Sequence, residues 1–349
     1  MNIKLISSIL AILVSQSLLA QEFTKIDRPI PSTIVSETAA KLATIRNEDP
    51  AKTIDLIKNT LPKVKSTYER FNLIFWELSF LYAGQNNFTA TYAILKQGQK
   101  EGLYYPIRTG NRTWPEYTHE LQKQADFEQF MKTNAELLEK DQAKAKAEYF
   151  VQLPKGYESS KSYPLLLVVH GGFGSHFDSA AVWQSPQLAS DYIVAFLQGS
   201  ICCGSGLRSF ERNRLDKIVS MYKQICDEYA VDTSRVVLGG PSAGGHKSVQ
   251  LTVQKHIAAQ GMLLAYPVKP RDLDEENVKA AAERGVRAAL ICGEHDWALK
   301  GQKELSVIFD KHELPNRFVV FSETGHEFPK DFPKQIDLSL DFIFQSDNR

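Results

Sequence analysis

Leu238-Gly239-Gly240-Pro241-Ser242-Ala243-Gly244-Gly245 is the stretch on which the reading of this chain turns. The run Arg235 to Leu238 predicts a strand and Ala243 to Ala259 a helix, so Gly240-x-Ser242-x-Gly244 falls on a tight strand-to-helix turn. Side chains at the flanking glycines would collide with neighbouring backbone there. Ser242 is held in a strained conformation with its hydroxyl projecting. Pro241 biases the residue before it toward extended geometry, which suits a strand end. The helix start beyond the serine favours developing negative charge.

Strands and helices alternate from Tyr149 onward. Leu165-Leu166-Leu167-Val168-Val169 is a continuous apolar run, the pattern of a strand buried on both faces. Further strands are expected at Tyr192 to Phe196, Gly261 to Tyr266, Val286 to Ile291 and Arg317 to Phe321. Helices are expected at Arg212 to Tyr229, Glu275 to Glu283, Leu299 to His312 and Lys334 to Phe344. Such alternation predicts an α/β fold with a doubly wound, mostly parallel sheet, whose chemistry collects beyond the carboxyl ends of the strands.

A serine alcohol is a weak nucleophile and needs a base. His326 follows the last strand in Ser322-Glu323-Thr324-Gly325-His326, at the same sheet edge. Asp296 follows the penultimate strand in Cys292-Gly293-Glu294-His295-Asp296 and is the carboxylate suited to orient the imidazole, with Glu294 as the alternative acid. The loop His170-Gly171-Gly172-Phe173-Gly174 lets backbone N–H groups approach a carbonyl. Gly172, with Gly171 or Phe173 close behind, and Ala243 are the expected oxyanion donors. His170 itself reads as a hydrogen-bonding loop histidine and His246 as structural. Arg208, Arg212 and Arg214 read as a solvated helix start, with binding of an acidic substrate group as the alternative.

Residues 148–349 resemble the α/β-hydrolase superfamily. The order Ser242, Asp296, His326 matches, and so do Leu153-Pro154-Lys155-Gly156-Tyr157, Tyr163-Pro164 and His170-Gly171-Gly172. These runs look most like the esterase, dienelactone-hydrolase and phospholipase/carboxylesterase branches, with prolyl-oligopeptidase catalytic domains also similar. The resemblance implies a serine ester hydrolase acting through an acyl-enzyme on a small-molecule, carbohydrate or lipid ester, with no cofactor and no metal. A peptidase or an acyltransferase is the alternative within catalysis. A helical interaction protein carrying a degenerate hydrolase domain is the alternative of another kind.

The first 20 residues read as a secretory signal peptide. Lys4 precedes the apolar run Leu5 to Val14, which is too short for the roughly 20 residues of a membrane span, and a small-residue stretch ends at Ala20. The mature protein is therefore expected to be exported, periplasmic or extracellular, without membrane insertion. Residues 21–147 read as a smaller all-α domain of helical hairpins, loosely resembling tetratricopeptide units, with Asp49-Pro50 and Ser66/Glu69 marking helix starts. The charge-mixed stretch Pro115 to Glu148 reads as a solvated connecting helix. With no room for a large lid between Tyr266 and Val286, this domain is expected to shape access to the site or to bind a protein partner. The 349 residues carry 41 basic and 41 acidic side chains, a balance that argues against a nucleic-acid surface. The four cysteines lack metal-type spacing. A bridge from Cys202 or Cys203 to Cys226 is compatible with export, and Cys292 reads as a buried thiol.

Overall fold

The computed structural model describes residues 23–28, 31–45, 48–212 and 214–345, so the expected signal peptide lies outside the described residues. The chain divides into two units, neither continuous in sequence. One gathers the N-terminal residues through Arg28 with Lys146–Ser200 and Ser209 onward, and the other Pro29–Ala145 with Ile201–Arg208.

Ten strands form among the described residues: β1 (Phe23–Lys25), β2 (Ala147–Gln152), β3 (Tyr163–Val169), β4 (Ile193–Gln198), β5 (Ile201–Gly204), β6 (Leu207–Ser209), β7 (Val231–Pro241), β8 (Gly261–Ala265), β9 (Arg287–Gly293) and β10 (Asn316–Phe321). Eight of them make one sheet in the order β1-β2-β4-β3-β7-β8-β9-β10. All its pairs are parallel except β2 against β4. This is the mostly parallel, doubly wound sheet that the alternation of strands and helices predicts.

Both faces of the sheet are covered, which explains the unbroken apolar strands. In β3, Leu166 and Val168 point to one side, among Trp183, Phe196, Val237, Phe332, Ile336 and Leu340. Leu165, Leu167 and Val169 point to the other, against Ile218, Met221, Ile225 and Leu251 of the helices Asp216–Glu228 and Ala243–Val253. A period-2 chain with two buried faces has no polar position to spare. Because β3, β4 and β7 to β10 run the same way, β3, β7, β8, β9 and β10 all release their chains at one edge.

The other unit is mainly helical. Asp49 caps the helix Pro50–Thr60 by accepting from Lys52 N at 3.0 Å. Ser66 caps the next long helix by accepting from Glu69 N at 3.4 Å. The reciprocal half of the capping box is missing, because the Glu69 carboxylate instead accepts from Ser32 N at 2.8 Å and Ser32 Oγ at 3.0 Å. That helix continues to Gly84, wound as a π-helix through Asn72–Ser79. Its buried Phe71 and Phe75 stack with Tyr105. Helix Phe127–Gln142 is not the solvated connector the charge pattern suggests: Phe127, Phe130 and Asn134 are buried. Asn134 locks the Tyr105 peptide groups, accepting from Tyr105 N at 2.8 Å and donating to Tyr105 O at 2.9 Å. The hairpin β5–β6 belongs with these helices. Ser205 N donates to Tyr104 O at 2.9 Å, and Tyr104 N donates to Ser205 Oγ at 2.8 Å.

All four cysteines are free thiols, so the bridge entertained from Cys202 or Cys203 to Cys226 is not formed. Among the described residues no helix is long and apolar enough to cross a membrane.

Candidate active site

The turn after β7 is forced. Ser242 has φ 52° and ψ −116°, a region L-residues rarely enter. Three backbone hydrogen bonds hold it there: Ser242 N to Ala265 O at 3.0 Å, and Val268 N and His246 N to Ser242 O at 3.1 Å. A Cβ on Gly240 or Gly244 would fall inside the contact radius of Val169 O, so the backbone of β3 itself demands glycine at both positions. The helix Ala243–Val253 begins directly after the serine and aims its free N–H groups at the same point.

Ser242, His326 and Asp296 are hydrogen-bonded in series. The Ser242 Oγ to His326 Nε2 distance is 2.8 Å, and His326 Nδ1 lies 2.8 Å from Asp296 Oδ1. The Asp296 side chain is fully buried. Its Oδ1 also accepts from Ala298 N at 2.7 Å, and its Oδ2 accepts from Gln302 Nε2 at 2.7 Å. Three donors therefore hold the carboxylate. The acceptor oxygen obliges His326 to carry its proton on Nδ1, leaving Nε2 free to receive the hydroxyl hydrogen of Ser242. Glu294, the alternative acid, is exposed. With exposed His295 and Glu323 it forms a group whose possible ligand atoms lie within 4.8 Å of one another, a clustering that surface acids commonly show without an ion.

The loop beyond β3 runs past this turn. A Cβ on Gly171 would lie 3.8 Å from Ser242 Cβ, and one on Gly172 would lie 3.8 Å from Ala243 Cβ. His170, buried against Phe210, accepts from Gly199 N at its Nε2 (3.1 Å), so its Nδ1 carries the hydrogen and donates to Gly171 O (2.7 Å). In a trans peptide the carbonyl and the next N–H point opposite ways, so the Gly172 N–H faces away from His170. His170 is thus a hydrogen-bonded loop histidine, as its sequence context suggests.

Several neighbours escaped the sequence reading. Tyr266, at φ 36° just past β8, meets His326 edge-on with ring centroids 4.7 Å apart. Trp297 tilts over the imidazole at 4.8 Å and 34° while remaining 71% exposed. Gln302 lies six residues beyond Asp296 on the next helix. Only Trp297 left a trace in the sequence, as a large aromatic directly after the acid. Of the basic residues, Arg208 pairs with Asp141 and Arg214 with Asp216 and Glu211. His246 is held down from its ordinary pKa, first by burial and then by the neighbouring Lys247 charge. The buried Lys247 donates to Glu211 O at 3.0 Å and to Arg212 O.

No model of a known protein family matches this chain, and no curated protein matches it in sequence. Among solved structures it is similar to an uncharacterized protein from Bacillus cereus ATCC 10987, 18% identical, with a TM-score of 0.49 over 90% of this chain and 99% of that one. A Bacillus cereus carboxylesterase is 20% identical, with a TM-score of 0.43 over 58% of this chain and 97% of that one. A ferulic acid esterase is 16% identical, with a TM-score of 0.45 over 56% and 90%.

Proposed function

We propose that the protein is an exported serine ester hydrolase. The observation that carries this reading is the unbroken series Ser242 Oγ, His326 Nε2 and Nδ1, Asp296 Oδ1 at the carboxyl edge of a parallel sheet. Ser242 Oγ attacks the ester carbonyl carbon while its proton passes to His326 Nε2. The carbonyl oxygen, now an oxyanion, is received by the N–H groups of Gly172 and Ala243, with Gly171 beside them, each donor contributing about 3 kcal/mol to lowering the barrier. As the C–O bond breaks, His326 returns the proton to the leaving alkoxide and the acyl group stays on Ser242. Water, deprotonated by the same imidazole, then releases the carboxylic acid and restores the serine. Asp296 fixes the tautomer and offsets the charge of the imidazolium throughout.

The strained backbone at Ser242 supports a functional over a decorative role, because conformations of that kind persist where the surroundings over-determine them. Export rests on the residues 1–20 pattern, and the alcohol and acyl groups on the loops around the triad. The reading is tested by incubating the protein with a fluorophosphonate probe and with short- and long-chain p-nitrophenyl esters, beside Ser242→Ala. Labelling and turnover, both lost in the variant, are expected. A wild-type protein that neither labels nor turns over would leave the fold as a non-catalytic scaffold.

A further inference from the structure

Among the described residues Trp297 is the most exposed large apolar side chain, with 71% of its surface in water. It is not adrift, because its ring lies 4.8 Å from that of His326 at an interplanar angle of 34°. The chain on either side is fixed. Asp296 Oδ1 takes the Ala298 N–H at 2.7 Å, and Leu299 N donates to Asp296 O at 3.0 Å. The indole is therefore presented on a rigid turn, one face toward the imidazole and the rest open. Behind the imidazole, the buried Tyr266 meets both His326 and Phe328.

In acyl transfer the two halves of an ester lie on different sides of the serine. The carbonyl oxygen must reach the Gly172 and Ala243 N–H groups. The alcohol oxygen must reach His326 Nε2, because that nitrogen supplies its proton. Whatever flanks the imidazole therefore flanks the alcohol half. An exposed indole offers a flat, rigid, apolar surface of low conformational entropy, which holds a ring by stacking and gains little from a short chain.

We propose that Trp297 is the platform for the alcohol half of the substrate and selects esters whose alcohol is a ring with a flat apolar face, aryl or pyranosyl. The proposal rests on the reading of Ser242, His326 and Asp296 as a working triad. Its test compares substrates that share one acetyl group and so pass through one acyl-enzyme: phenyl acetate, an acetylated methyl pyranoside and ethyl acetate. The full chain is assayed as wild type, Trp297→Ala and Trp297→Phe. In Trp297→Ala the ratio of kcat/KM for phenyl acetate to that for ethyl acetate is expected to fall about tenfold, carried by KM, with Trp297→Phe recovering part of it. A parallel fall for the pyranoside ester extends the platform to sugar rings, and a fall for phenyl acetate alone confines it to aryl rings. Equal losses on the ring and ethyl esters would overturn the platform and leave Trp297 as a support for His326. Wild-type turnover with fluorophosphonate labelling but no change in that ratio would overturn the platform while sparing the triad. Absence of both labelling and turnover would take the triad and the platform together.

Discussion

Replacing Asp296 by asparagine removes one charge from a carboxylate held by three donors, and those donors dictate how the amide must sit. Oδ1 receives two N–H groups, from Ala298 at 2.7 Å and His326 at 2.8 Å. An NH2 group placed there would face two donors, so the amide oxygen must take that position. The NH2 then occupies the Oδ2 position, opposite Gln302 Nε2. Gln302 can accommodate it by rotating its own amide, since its buried Oε1 lacks a hydrogen-bond partner and becomes the acceptor. The His326 tautomer survives, and only the charge is lost. An imidazolium and a carboxylate about 4 Å apart, at an effective dielectric of about 20, attract by about 4 kcal/mol. The retained neutral hydrogen bond returns about 1 kcal/mol. The net of about 3 kcal/mol corresponds to a loss of about 10²-fold in kcat/KM. Asp296→Ala also frees the ring and its tautomer, for which about 10⁴-fold is expected. The assay is kcat/KM for p-nitrophenyl acetate near pH 7, with Asp296→Asn/Gln302→Leu as the third variant, expected about tenfold below Asp296→Asn because the rotated acceptor is gone. An Asp296→Asn enzyme as slow as Asp296→Ala, or one that the added Gln302→Leu leaves unchanged, would contradict this placement of the amide.

Three other perturbations have outcomes set by the packing. Ser242→Gly relieves the positive φ at the elbow and is expected to raise the unfolding free energy by about 1 kcal/mol, where Ser242→Ala, keeping a Cβ, does not; the difference is read in urea midpoints. Asn134→Leu strips both partners from the buried Tyr105 peptide groups and should destabilise the helical unit by about 2–4 kcal/mol, visible in the denaturation curve and in faster amide exchange of Tyr105. Burial depresses the His246 pKa below the unfolded value of 6.5, so the unfolded chain takes up a proton first as the pH falls. Stability is therefore expected to drop on acidification from 6.5 down to the folded pKa and to level off below it. His246→Gln should flatten that part of the profile in urea midpoints taken across the range.

Much of the site is legible without any tertiary contact. Strand ends and a glycine-bounded turn place Ser242, Asp296 and His326, and the structure joins their side chains through two hydrogen bonds of 2.8 Å. The Gly171-Gly172 loop is placed the same way. The expected elements differ from the observed ones chiefly at their ends, whereas β1, β2, β5, β6 and the helices His176–Val182 and Pro186–Asp191 were not expected at all. The strand at Arg235 to Leu238 extends back to Val231, and the helix from Ala243 stops at Val253 instead of Ala259. Other features left no local mark. Residues 23–25 form a strand only because β2 pairs with them. Ile201–Arg208 folds with helices that lie far before it in the chain. Gln302 carries no motif at all.

The division has a physical cause. A run such as Leu165 to Val169 states its own burial, and glycines at 240 and 244 state how closely another backbone passes. Once the strands are parallel, every residue just beyond one of them arrives at the same edge. The sequence by itself therefore determined the sheet, its direction and the three side chains that converge on it. Which acid is buried, Asp296 with three donors and not exposed Glu294, depended on how the turn after β9 closes under its helix. The packing of Tyr266 and Trp297 on His326, the tautomer of His170 and the regrouping of the chain into discontinuous units depended on contacts between segments distant in sequence. Their energies come from burial and hydrogen-bond satisfaction in the assembled fold, which no local pattern of residues contains.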